Sequence, residues 1–498
     1  MRPLGGGGVR LHLRTRIGPF EIVSTLGVGR ELTAPGDALR STFELVKQKE
    51  SMAVTPAVAP LEIEVRATRK VWMRIIPVVL VLFVINYVDR VNIAFAALTM
   101  NKDLAITSQQ YGLIAGIFFF GYFIFEVPSN LLLHRLGARV WIARILISWG
   151  LVAVLTGFAK VAFHLCALRF LLGVAEAGYF PGIVLYLTYW FRQRHLAHAM
   201  ALLCTGTPVA NVIGAPVSGL ILDHIHWVGL SSWRWLLILE GVPAILAGIL
   251  TYFFLPSRPA DAKFLTPEEK DWLSTELRRE EAEKLAQRQI TVRHALAHGR
   301  VWHLTAIYFA QVLSMYAVLF WMPQLIKAVF NQHSNTAIGI LVMIPYVGAV
   351  SAMIMVARSS DRVLERRYHA AVPQMVAAAA LVLLGTVTTP SPWLLIVLWC
   401  FAAMGIWSFF GPFWSLPNEF LTGSSAAVGI ALINSFGNIG GFVGPYAMGA
   451  INRKTGSFHG GLLLAGISLF VSATLVLMLR KRTSLDAMSP SVGSPVGP

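Results

Sequence analysis

Apolar stretches long enough to cross a bilayer recur along most of the chain, separated by short polar breaks. They lie at roughly 72–100, 109–133, 140–158, 162–190, 197–222 and 233–255 and, after a charged break, at roughly 301–329, 337–357, 370–388, 393–418, 426–451 and 459–479. A helix needs about 20 apolar residues to span the hydrocarbon core, so the pattern predicts six spans followed by six more. Only helices and closed barrels satisfy their backbone polar groups in lipid. The expected fold is therefore all-α and integral to the membrane, with twelve transmembrane helices in two pseudo-symmetric six-helix bundles. Residues 1–65 contain no spanning run and lack the compact apolar core and cleavage site of a signal peptide. They are expected to be a disordered tail, with Met52 as an alternative start. The first bundle then takes 66–255, a linker 256–300, the second bundle 301–480, and a disordered tail 481–498.

The two halves echo each other at a nearly fixed offset, as expected of a transporter built from structural repeats. His134 and Asp361, in basic turns after the second and eighth spans, are 227 residues apart. Gly178–Phe180 and Ser408–Phe410 are 230 apart, as are Gly214 and Gly444 in the GAPVSG and GPYAMG runs.

Composition agrees with the hydropathy pattern. Of 498 residues, 56% are hydrophobic and 13% charged, with a mean hydropathy of +0.64. A soluble domain carries about 25% charge, so this chain cannot cover a water-facing surface. The net charge of +16 does not indicate a nucleic-acid partner, because the basic residues form short clusters between apolar runs. They report orientation instead. With the N-terminus inside, 25 Lys and Arg flank the cytoplasmic ends of the spans and six the other ends, so the positive-inside rule puts both termini and the linker in the cytoplasm. Thr266, Pro267 and Glu269 spell a capping box with proline at the first helical position, predicting a surface helix through about Arg288. Cys166, Cys204 and Cys400 sit in apolar segments and give neither a disulfide framework nor a zinc site. No metal-binding, ATP-binding or hydrolytic motif is present. A membrane-embedded enzyme is thus the remote alternative, and no cofactor is expected.

Four charged residues lie deep within predicted spans: Asp89, Arg90, Arg169 and Glu176. Each costs about 2.5–3.5 kcal/mol on insertion scales and normally faces a partner or a water-filled cavity. Asp89 and Arg90 are neighbours and so point about 100° apart on a helix. Arg90 suits a substrate clamp, since its guanidinium can hold a carboxylate through two hydrogen bonds and keeps its charge; the alternative is an arginine pinned to helix-end carbonyls. Asp89 can load and unload a proton, or act as a fixed counter-ion. Arg169 and Glu176 are seven residues apart and share a helix face about 10 Å from one another. Glu126 reads as a gate or loop anchor, and Glu240 as structural.

The turn NLLLHRLGAR (130–139) is similar to the loop signature of the major facilitator superfamily, with Asn130 and His134 in place of the usual glycine and aspartate; RFLLGVAEAG from Arg169 is similar to its fourth-helix motif. More narrowly, NYVDRVNIAFA (86–96), EVPSNLLLHRLGAR (126–139), GVAEAGYFPGIVLYLTYWF (173–191), FWMPQLIK (320–327) and NSFGNIGGFVGP (434–445) resemble the anion:cation symporter family, in its tartrate or aromatic-acid permease branch. The resemblance covers about residues 66–482. It implies a secondary active transporter in the cell (inner) membrane that moves a small organic anion together with a proton by alternating access, and a monomer. It also implies proton coupling by Glu176, tuned by Arg169, beside the coupling role that its titratable carboxyl gives Asp89. Tyr87, Tyr122, Trp414 and Asn434 match cavity-lining positions, and Gln311, Tyr316 and Gln324 are further candidates in the seventh span. Thr207 and Pro208 stand where sugar-acid relatives often carry glutamine, which points away from a polyhydroxy sugar acid. An exporter or facilitator of a neutral compound is the alternative.

Overall fold

The computed structural model describes residues 10–17, 20–27, 37–286, 299–387, 391–420 and 424–479, so the tail expected over 481–498 and the end of the linker lie outside it. The chain divides into residues 1–65 and 66–498. In the first unit, where disorder is expected, strands β1 (Arg10–Ile17) and β2 (Phe20–Gly27) pair antiparallel, with Arg10 opposite Gly27 and Ile17 opposite Phe20. The signal is a period-two alternation of Leu11, Leu13 and Ile17 with Arg10, His12, Arg14 and Arg16. It is too short to register in a search for membrane spans.

The spans are helical throughout. The first half contains α1 (Asp37–Asp103), α2 (Ser108–Leu136), α3 (Ala138–Thr156), α4 (Ala162–Glu176), α5 (Tyr179–Thr188), α6 (Gln193–His224) and α7 (Ser232–Phe254). The linker forms α8 (Pro267–Ala286). The second half contains α9 (Gly299–Val329), α10 (Asn335–Val363), α11 (Arg367–Thr386), α12 (Pro392–Ser408), α13 (Phe410–Phe420), α14 (Ser424–Gly437), α15 (Gly440–Thr455) and α16 (His459–Leu477). Among the described residues eleven helical stretches are long and apolar enough to cross a membrane. The remaining predicted span, the eleventh, is split into α14 and α15.

Three spans are broken. The fourth breaks between α4 and α5, the tenth between α12 and α13, and the eleventh at Asn438 and Ile439. At the first break Gly178 adopts a left-handed φ of +82°, and the Ser129 hydroxyl of α2 donates to the freed Ala177 carbonyl at 2.6 Å. Trp141 Nε1 in turn donates to Ser129 Oγ at 3.0 Å. A methyl group on Gly178 would collide with Ser129 Oγ. Gly178→Ala therefore combines an unfavourable φ with loss of this carbonyl partner, and should lower stability by about 1–3 kcal/mol. Thermal unfolding of the purified protein checks this, and an unchanged midpoint would refute it.

The linker helix begins as expected. Glu269 accepts from the Thr266 N–H at 2.9 Å while the Thr266 hydroxyl accepts from the Glu269 N–H at 3.3 Å. Lys70 at the start of the first span also pairs with Glu269, at 2.8 Å, fixing the linker to the first half.

The halves meet symmetrically, α2 against α15 and α6 against α10, while α3 packs on α7 and α11 on α16 at the periphery. One set of polar ties between the halves lies on the side opposite the linker. Asp223 at the end of α6 accepts four hydrogen bonds from Asn335 and Thr336 at the start of α10, at 2.7–3.1 Å. Asn101 donates to Gln324, Gln109 donates to Tyr446, Arg453 donates to Gln109, and Tyr111 donates to the Phe320 carbonyl. Backbones also come close here: a Cβ on Gly219 would lie 2.5 Å from the Asn335 oxygen. Gly440 and Gly444 of α15 face α9 within their own half.

Candidate functional site

A central cavity lies between the halves. Its walls are mostly aromatic, with Phe83, Phe118 and Phe180 on one side and Tyr308, Trp407 and Trp414 on the other. Arg90 is the charged residue in this lining. Its guanidinium sits 5.2 Å from the Phe118 ring centroid and 5.6 Å from those of Tyr87 and Tyr122, a distance range in which ring faces stabilise a cation.

Arg90 is held from two directions. Its Nη2 pairs with Glu176, the last residue of α4, and its Nη1 donates to the Tyr316 hydroxyl of α9 at 3.2 Å. The helix break directly after Glu176 leaves that carboxylate at the end of α4 beside α1. The cation is thus gripped by an acid of its own half and touched by a hydroxyl of the other. Arg169, buried one helix away, donates to the Arg90 carbonyl at 3.3 Å and does not line this cavity. It positions the α1 backbone.

Asp89 faces the other way. Only 2% exposed, its carboxylate accepts from Trp149 Nε1 at 2.8 Å and from Asn92 at 3.4 Å. Together with Asn92, Thr156 and Arg169 it borders a second, small cavity inside the first half. Glu240 of α7 is buried nearby and accepts from Ser218 at 2.7 Å. Two polar centres therefore lie on either side of α1, one facing the central cavity and one enclosed.

Tyr87, Tyr122, Tyr316, Trp414 and Asn434 all line the central cavity. Gln311 does not, which corrects its assignment to the substrate site. It is fully buried within the second half, donating to the Ile406 carbonyl and accepting from Gln374, both at 2.7 Å. Gln324 also lies outside the cavity, in the tie to Asn101. Asn86, Cys204, Trp407, Phe410 and Asn438 line the cavity without having been singled out. Asn86 was legible, lying four residues before Arg90 on the same helix face.

Several cavity donors have nothing to bind. Asn86 Nδ2, the Tyr87 hydroxyl, Arg90 Nε and Trp407 Nε1 are buried and have no hydrogen-bond partner among the described residues. Buried polar groups are nearly always paired, so this lining suits a ligand rich in acceptor atoms. Among the described residues no group of His, Cys, Asp and Glu could hold a metal ion.

Comparison with known proteins agrees with this arrangement. The model of the Major Facilitator Superfamily matches residues 79–445. A protein of Agrobacterium vitis named "Putative tartrate transporter" is 44% identical over 420 residues, covering 84% of this chain and 92% of its own. A "Quinolone resistance transporter" of Acinetobacter baumannii is 38% identical, covering 84% and 96%. Among solved structures, a bacterial homologue of the human lysosomal transporter Spinster superposes with a TM-score of 0.65 at 16% identity, over 81% of this chain and 96% of that one. With its spans, paired halves and central cavity, this chain belongs to the Major Facilitator Superfamily and is a multi-pass membrane transporter.

Proposed function

We propose that the protein imports a small organic anion, a tartrate-like dicarboxylate or a related hydroxy or aromatic carboxylate, together with a proton. The observation that carries this reading is Arg90 in the cavity lining, together with unpartnered donors on both walls of that cavity. A carboxylate supplies the acceptors they lack and the charge that Arg90 can bind. The tartrate named for the Agrobacterium vitis relative has this chemistry.

Coupling follows from competition for one cation. With Glu176 ionised, Arg90 is neutralised within the protein. A proton on Glu176 leaves the guanidinium without its counter-charge, and a substrate carboxylate restores the balance. Proton and anion then favour each other's binding, a reciprocity that thermodynamic linkage requires. Asp89 is a second proton station behind α1, and Arg169 links the two by holding the Arg90 backbone. The ties around Asp223 join the halves on the side opposite the linker, and the positive-inside rule places both termini on the cytoplasmic side of a cell-membrane monomer. The aromatic wall and the quinolone-related protein give export of a larger aromatic acid as the second reading. The test is tartrate uptake into proteoliposomes under an imposed pH gradient. Accumulation on the alkaline side is expected, and uptake indifferent to the gradient would overturn coupling.

A further inference from the structure

α2 places a third buried acid next to the cavity. Glu126 is 3% exposed and lies one helical turn beyond Tyr122 toward the linker side. Its Oε1 accepts from Asn434 Nδ2 at 3.1 Å and its Oε2 from the Ser435 hydroxyl at 2.6 Å, both on α14 of the opposite half. Asn434 itself lines the central cavity.

A side-chain amide can present either its oxygen or its nitrogen to a neighbour, and only the hydrogen-bond network fixes which. An ionised carboxylate accepts and cannot donate, so Glu126 forces the Asn434 nitrogen toward itself. The amide oxygen, which makes no hydrogen bond among the described residues, is left as an acceptor on the cavity side. Arg90, Asn86, Tyr87 and Trp407 offer donors to the ligand, so an acceptor complements a ligand hydroxyl. We propose that Glu126 is a specificity-positioning residue. By fixing the Asn434 amide, it selects hydroxycarboxylates over the same acids without the hydroxyl. Because the bond crosses between halves, this selection operates only while α2 and α14 are together on the linker side.

The proposal rests on the cavity reading and is tested with tartrate and succinate, which share a skeleton and differ in the hydroxyls. Both compete against labelled tartrate counterflow in proteoliposomes, and thermal shifts of the purified protein provide a second binding measure. The wild type should prefer tartrate by about 10-fold or more, since a site built for a hydroxyl rejects the analogue lacking it. Glu126→Gln can donate as well as accept, so it frees the amide to turn and should bring the two acids within about 2-fold. Ser435→Ala leaves the Asn434 bond in place and should keep the preference. Asn434→Ala should lose it even if Glu126→Gln does not fold. No preference in the wild type, or a preference retained in Glu126→Gln or Asn434→Ala, overturns the proposal. Tartrate binding that survives Arg90→Ala would instead overturn the cavity reading itself.

Discussion

Arg90→Ala should reduce tartrate counterflow by about 100-fold or more and also destabilise the fold. The variant loses the one fixed cation lining the cavity and leaves Glu176 buried without its counter-charge. Breaking a buried pair from one side costs about 3–5 kcal/mol. The two effects separate in a double variant. Arg90→Ala with Glu176→Gln removes the orphaned charge, so the thermal midpoint should recover while counterflow stays lost. Arg90→Lys should not restore transport, because a compact ammonium cannot reproduce the fork that reaches Glu176, Tyr316 and a carboxylate. Wild-type counterflow in Arg90→Ala would remove the basis for an anion site here.

Glu176→Gln separates binding from coupling. Glutamine keeps the shape and still accepts a hydrogen bond from Arg90, but carries no charge to compete with the substrate. Exchange of tartrate across the membrane should persist, while accumulation driven by a pH gradient should fall to the background of empty liposomes. Gradient-driven accumulation that survives in Glu176→Gln and disappears in Asp89→Asn would move the coupling proton to the enclosed centre behind α1.

Much of this architecture could be read from the chain because hydropathy and charge act locally. The spans, the charged break and the capping box at Thr266 each depend on a few consecutive residues. The helix breaks were half legible. The repeat marks 178–180 and 408–410, yet nothing in the sequence says that Ser129, on another helix, satisfies the opened carbonyl. The pairing of Arg90 with Glu176, 86 residues apart, was beyond reach for the same reason. The four mid-span charges stood out in the sequence, but which of them meet depends on how α1 and α4 are rotated in the bundle. Gln311 shows the limit plainly. α9 is buried on nearly all sides, so it has no polar face by which to tell the cavity side from the side that packs on α11 and α12. Which side of α1 Asp89 faces is hidden by the same logic, as its burial against Trp149 is set by the packing of α3.

The single Arg90–Glu176 pair also has an electrical consequence. One proton and one carboxylate cross as a neutral unit, indifferent to membrane voltage. The second carboxylate of a dianion has no further fixed cation in the cavity lining to balance it. Unless it brings a proton of its own, its inward passage works against an inside-negative potential, at about 2.3 kcal/mol per 100 mV for each charge. The ionisation state of the cargo thus determines whether the membrane potential opposes uptake or leaves it to the proton gradient alone.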